Sequence, residues 1–171
     1  MTEGNFEKSI EIKGSQASQI PQVVGAWWKE TSKESGSVAS PGKLYAIGNY
    51  LVQLVKNSLG DGKTDGKVTA SFDDEKIKIV IEDFGGAEKE INLNMAGDYG
   101  MKESIEYFDV FNIESGGKLY EKNNRNMIEE SEIDDSDLRV GSKVTIIKYH
   151  VTLVDEPEDE YYVKRNFRER M

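Results

Sequence analysis

The chain reads as an α+β protein, a two-layer sandwich in which helices pack on one face of a mixed or antiparallel sheet. Three observations carry that reading. Segments with a two-residue hydrophobic period occur at Phe6–Ile12, Lys67–Phe72, Lys76–Asp83 and Val144–Val154. Two longer segments, one through Ile20–Trp28 and one over Lys43–Leu59, repeat their apolar residues at helical spacing. The strands come in pairs joined by short polar or glycine turns, which is hairpin grammar.

Taken in order, Phe6–Ile12 alternates and opens the chain as a strand, and Gly14-Ser15 breaks it. Ser15 or Ser18 is then placed to cap a helix through Ile20, Val23, Val24, Trp27 and Trp28, with the paired tryptophans in the core. Glu34–Gly42 is a loop by composition. The second helix, Lys43–Leu59, buries Leu44, Ile47, Leu51, Leu54 and Val55, and Gly60–Gly66 ends it. Lys67–Phe72 and Lys76–Asp83 form a hairpin about the polar turn Asp73-Asp74-Glu75. Glu88–Leu93 fits no single element. Met101–Phe108 is a short helix with Gly97-Asp-Tyr-Gly100 before it. Val110–Ile113 and Lys118–Tyr120 flank Gly116-Gly117 as a second hairpin. Glu121–Leu138 is acidic and expected to be an irregular insertion, and Val144–Val154 is the strongest strand. Residues 1–154 thus form one domain, with the insertion at 121–138, and residues 155–171 form a charged tail.

The bulk numbers bound the function. At 171 residues, 37% of them hydrophobic and 32% charged, the chain can bury a core without staples. Its net charge of −10 opposes attraction to phosphate backbones, so nucleic acid is not an expected partner. With no cysteine there is no disulfide, thiolate metal site or cysteine nucleophile. No secretory signal or membrane-length apolar run is visible, and a cytoplasmic location without membrane contact is the expectation. A lone His150 rules out a multi-histidine metal site. The P-loop pattern is absent, and Asp61–Asp65 lacks EF-hand spacing.

Two stretches carry candidate chemistry. In the second helix Asn49, Gln53 and Asn57 recur every four residues and share a face. About 25 residues on, Ile77–Ile81 reads as a buried strand ending in Asp83-Phe84-Gly85-Gly86. A carboxamide oxygen such as that of Asn57 suits Mg²⁺, which keeps several waters and takes few protein ligands. Asp83 can accept from the exocyclic amine of adenine. Backbone N–H groups of a glycine-rich turn or helix start, here Gly97–Met101, suit phosphates.

The order of these stretches resembles the Bergerat-fold ATPases, the superfamily of gyrase, Hsp90, MutL and histidine kinases, and most of all its small anti-sigma-factor serine kinases. Their N box, Glu-x-x-x-Asn with a His often four residues later, reads here Gln53-Leu-Val-Lys-Asn57-Ser-Leu-Gly-Asp61. Their Asp-x-Gly-x-Gly box reads Asp83-Phe-Gly85-Gly86-Ala87, and their second glycine box reads Gly97-Asp-Tyr-Gly100-Met101. A Gly-Thr pair opening the last strand has its counterpart in Gly141-Ser142. The resemblance spans Phe6 to His150 and implies a Bergerat-like fold that binds ATP and Mg²⁺. Asn57 would hold the metal, Asp83 the adenine, and Gly85, Gly86, Gly97, Gly100, Met101 and Ser142 would shape the pocket. Gln53 or Asp61 would orient a partner's serine. The implied partner is a protein such as a sigma factor or a small anti-sigma antagonist, and a homodimer is compatible with the family.

Departures from the pattern weigh against strong activity. Position 53 is glutamine where the family has its base, and a carboxamide cannot take a proton near neutral pH. Ala87 replaces the second glycine, and the lid between Gly86 and Gly97 is short. The alternative expectation is therefore a degenerate Bergerat fold acting only through protein contacts, with the acidic insertion and tail as its surfaces.

Overall fold

The structure, a computed structural model, describes residues 5–36, 39–85, 100–133 and 141–150. Among these the chain runs β1 (Phe6–Ile12), a 3-10 helix (Gly14–Gln19), α1 (Ile20–Glu34), α2 (Pro41–Leu59), β2 (Gly66–Phe72), β3 (Lys76–Asp83), α3 (Met101–Tyr107), β4 (Val110–Ser115), β5 (Lys118–Lys122), β6 (Ile128–Glu132) and β7 (Lys143–Tyr149). The strands form one seven-stranded sheet in the order β1-β2-β3-β7-β4-β5-β6, and every neighbouring pair is antiparallel. This is the expected α+β class, with the sheet antiparallel throughout.

Alternation decides which face is covered. In β2, Val68, Ala70 and Phe72 are buried, and in β3, Ile77, Ile79 and Ile81. The register lines them up across strands: Val68 faces Ile81, Ile81 faces Val144, and Val144 faces Ile113. One continuous apolar face results, because side chains of period two stay on one side when the register holds. The helices close over it. Ile20, Val24, Trp27 and Trp28 of α1, Ile47, Leu51, Leu54, Val55 and Leu59 of α2, and Met101 and Ile105 of α3 join the same core cluster.

The helices start and approach for local reasons. Ser40 caps α2, its hydroxyl accepting from Lys43 N at 3.2 Å, and Pro41 occupies the first turn where its missing N–H costs nothing. Trp28 lies over Gly48 and donates Nε1–H to Leu44 O at 2.7 Å, so α1 and α2 meet at a glycine. The Trp28 ring also stacks on Phe72 at 5.7 Å, tying the helix pair to the sheet.

Several expectations are corrected. Neither Ser15 nor Ser18 caps α1: both lie within the 3-10 helix, and Gln19 stands at the cap. The second helix begins at Pro41, two residues earlier than its apolar pattern. The expected irregular insertion is largely regular up to residue 133: Glu121 and Lys122 complete β5, and Ile128–Glu132 forms the edge strand β6. The pairing compensates for the acidic composition, as Lys118 meets Glu130 at 2.7 Å across the hairpin. Residues 134–138 of that expected insertion, Glu88–Leu93, Val151–Val154 and the tail at 155–171 lie outside the described residues. No helix among the described residues is long and apolar enough to cross a membrane.

Candidate functional site

Strand β3 carries its buried alternation one step past its last isoleucine, and that step is Asp83, only 2% exposed. A carboxylate on the covered face must be hydrogen-bonded to stay there. Thr64 Oγ1 donates to Asp83 Oδ1 at 2.6 Å, and Gly85 N donates to the same oxygen at 2.8 Å. The Asp83 backbone N–H donates to Ser142 O at 2.9 Å, so the end of β3 meets the residue just before β7. Close approach here requires glycine. A Cβ on Gly85 would run into the Thr64 side chain, and one on Gly141, which also has φ +82°, into the carbonyls of Asp83 and Gly85.

Asp83, Ser142 and Gly85 therefore come together. Ser142 is 4% exposed. Ser115, 7% exposed, follows on the same side of the sheet, one step beyond the cross-strand row Glu82, Lys143 and Glu114. Sequence reasoning missed Ser115 and Thr64. The Phe111–Ile113–Ser115 alternation pointed to the first. The hairpin register, which sets Gly66 opposite Asp83, pointed to the second by putting the preceding loop beside the carboxylate.

The loop bearing Thr64 is held from below. Gly14 N donates to Asp65 Oδ1 at 2.8 Å, and a Cβ on Gly14 would stand 2.6 Å from Gly62 O. Asp61 lies in this loop, beyond the end of α2, is exposed, and accepts from Lys63 N at 3.0 Å. It is thus off the helical stripe that carries Gln53 and Asn57, because α2 stops at Leu59.

Gln53 and Asn57 are both half-buried on α2, which packs against β3. Asn57 stands two turns beyond Tyr50 on the same line of the helix. Tyr50 stacks on Tyr107 at 4.7 Å and meets Phe108 edge-on at 5.7 Å, so this side of α2 looks toward the end of α3. Gly100 is buried at the start of α3, and its carbonyl accepts from Ser104 N and Oγ at 2.9 and 2.8 Å. Met101 is fully buried core. Gly86 and Gly97 lie outside the described residues, as does Ala87.

Chemically, the β3 end offers a buried carboxylate acceptor and α2 offers carboxamides. Among the described residues no group of three or more His, Asp or Glu is arranged to hold a metal ion. An open concavity of about 360 Å³ lies elsewhere, at the β5–β6 turn between Asn123, Asn124, Arg125, Met127 and Glu129, and none of the candidate residues lines it. His150 has a structural setting: its Nε2 lies 2.8 Å from Asp73 O, and its carbonyl accepts from Lys43 Nζ at 2.9 Å. No model of a known protein family matches the chain, and no curated protein matches it.

Proposed function

We propose that this chain is an ATP-binding regulatory protein of the anti-sigma serine kinase type, with a Bergerat-like arrangement and weak or absent phosphoryl transfer. Asp83 takes the adenine amine, Asn57 the Mg²⁺, and the Gly85 and Gly141-Ser142 backbones border the base. Gln53 orients a nucleophile without accepting its proton, so turnover is slow. Its target is a protein partner, a sigma factor or a small anti-sigma antagonist, with a homodimer compatible. The observation that carries the reading is the meeting of Asp83 with Ser142: two segments far apart in sequence share a backbone hydrogen bond, and the Asp83 carboxylate is buried there.

One observation favours a second reading, a protein-binding module without nucleotide. Thr64 and Gly85 both bond Asp83 Oδ1, so the carboxylate already serves as a staple between the α2–β2 loop and the end of β3.

Calorimetry with Mg-ATP on the wild type and on Asn57→Ala separates the two. The first reading expects heat from the wild type and an affinity lower by about tenfold or more, ~1.4 kcal/mol, in the variant. It also expects Gln53→Glu to raise the rate of ATP hydrolysis. A wild type that gives no heat with Mg-ATP sends the first reading down and leaves the second.

A further inference from the structure

Where α3 ends, two lysines from the sheet converge on its last carbonyls. Lys122, from β5, donates its Nζ to Phe108 O, and Lys148, from β7, donates to Tyr107 O at 2.9 Å. The helix's C-terminal carbonyls draw cations there, and two of them crowd into one place. Their situations differ. Lys148 lies 4.0 Å from Asp109 Oδ2 and 4.6 Å from the centre of the Tyr107 ring, so a carboxylate and an aromatic face hold it as an ammonium. Lys122 is half-buried and, among the described residues, makes no ion pair; its one hydrogen bond goes to a carbonyl.

We propose that Lys122 is a reactive amine of this chain, the site at which it is acylated by small acyl phosphates. The geometry supplies what the reaction needs. A neutral amine keeps an N–H for Phe108 O and frees a lone pair for the acyl carbon, while the neighbouring Lys148 ammonium attracts the phosphate dianion. Burial, first, and the charge of Lys148 push the Lys122 ammonium below the usual lysine range, against the opposing pull of Asp109 at the α3–β4 junction and Glu106 of α3. The lone pair attacks the acyl carbon; the C–N bond forms as the C–O bond to phosphate breaks. Phosphate leaves with the electron pair, and the surplus proton on nitrogen passes to solvent. The product amide is uncharged, which relieves the crowding of two ammoniums. Lys8 and Lys118 provide the contrast within the same chain, since each is paired with glutamate at 2.7 Å, and those partners raise it above the lysine norm.

The full chain is incubated with acetyl phosphate near neutral pH, sampled over time, and mapped by peptide mass spectrometry. Lys122 is expected to acetylate severalfold faster than Lys8 and Lys118. Lys148→Met should slow it and Lys148→Arg should keep it. Glu106→Gln, at an exposed position, should speed it. A Lys122 rate no higher than that of the two paired lysines overturns the proposal, as does a rate that Glu106→Gln leaves unchanged. A parallel series with an uncharged N-hydroxysuccinimide ester checks the phosphate's part: a Lys122 lead with the ester alone overturns the acyl-phosphate assignment.

Discussion

At the scale of single residues, buried polar atoms decide most of what is unusual here. Thr31 is fully buried on α1, and its hydroxyl has no hydrogen-bond partner among the described residues; the indole N–H of Trp27, one turn earlier, has none either. A buried hydroxyl without a partner costs stability, and an isosteric methyl removes that cost. Thr31→Val is therefore expected to stabilise the chain by ~1 kcal/mol, a rise in Tm of about 2–4 °C by thermal melting. Asp73 shows the opposite case. Burial raises its carboxyl, but the N–H groups of Glu75 and Lys76 and the Lys76 ammonium outweigh that and hold it below its ordinary value of 3.8. A carboxyl lowered in the folded state contributes stability above its unfolded pKa and loses it as pH falls through the folded one. Wild type should thus melt above Asp73→Asn at pH 5 and higher, with the gap closing below about pH 4. A gap that persists unchanged into strong acid would show that the charge of Asp73 does not matter.

At the scale of elements, α1 and α2 are joined through one glycine. A Cβ on Gly48 would stand 2.6 Å from Trp28 Cδ1 and 3.0 Å from Nε1, and the Trp28 ring is held by Leu44 O on one side and Phe72 on the other. Alanine favours a helix intrinsically, yet Gly48→Ala is expected to destabilise by ~1–3 kcal/mol because the ring has nowhere to shift. Denaturant titration reads the sign: a stabilised variant would mean that the propensity gain exceeds the clash. The elements themselves were mostly legible. The apolar period of Ile47, Leu51, Leu54 and Val55 marks α2, and the alternations of Lys67–Phe72 and Lys76–Asp83 mark β2 and β3. Strand β6 was not legible. Beyond Ile128, which packs against the core, the strand is polar on both faces, since as an edge strand of a hairpin it buries little and needs no alternation. The 3-10 helix was missed for a related reason: it has no buried residue to give it a period.

At the scale of the whole molecule, the sheet order puts the chain's last described strand in the middle. Strand β7 pairs with β3 on one side and β4 on the other, so the sheet cannot be completed until residues near 145 have been positioned. Such non-local pairing carries a large closure cost and slows folding. It also predicts where native-state hydrogen exchange is slowest. Amides of β3 and β7, flanked on both edges, should exchange at the rate of global unfolding, and those of β6, on an outer edge, should exchange first. Fast exchange in β7 would mean that the two halves of the sheet open independently.

From the sequence alone come the α+β class, the helix and strand periods, the buried tryptophans and the position of Asp83 at a strand end next to glycines. These are local properties, written in spacing and in the conformational preferences of single residues. Only the tertiary structure decided that β7 lies between β3 and β4, that Asp83 meets Ser142 and is bonded by Thr64, that Asp61 leaves the stripe of Asn57, and that Lys122 and Lys148 converge on α3. Each of these depends on which distant segments pair and in what register. Two strands of the same period can pair with many partners, and the choice is made by the burial of one shared core.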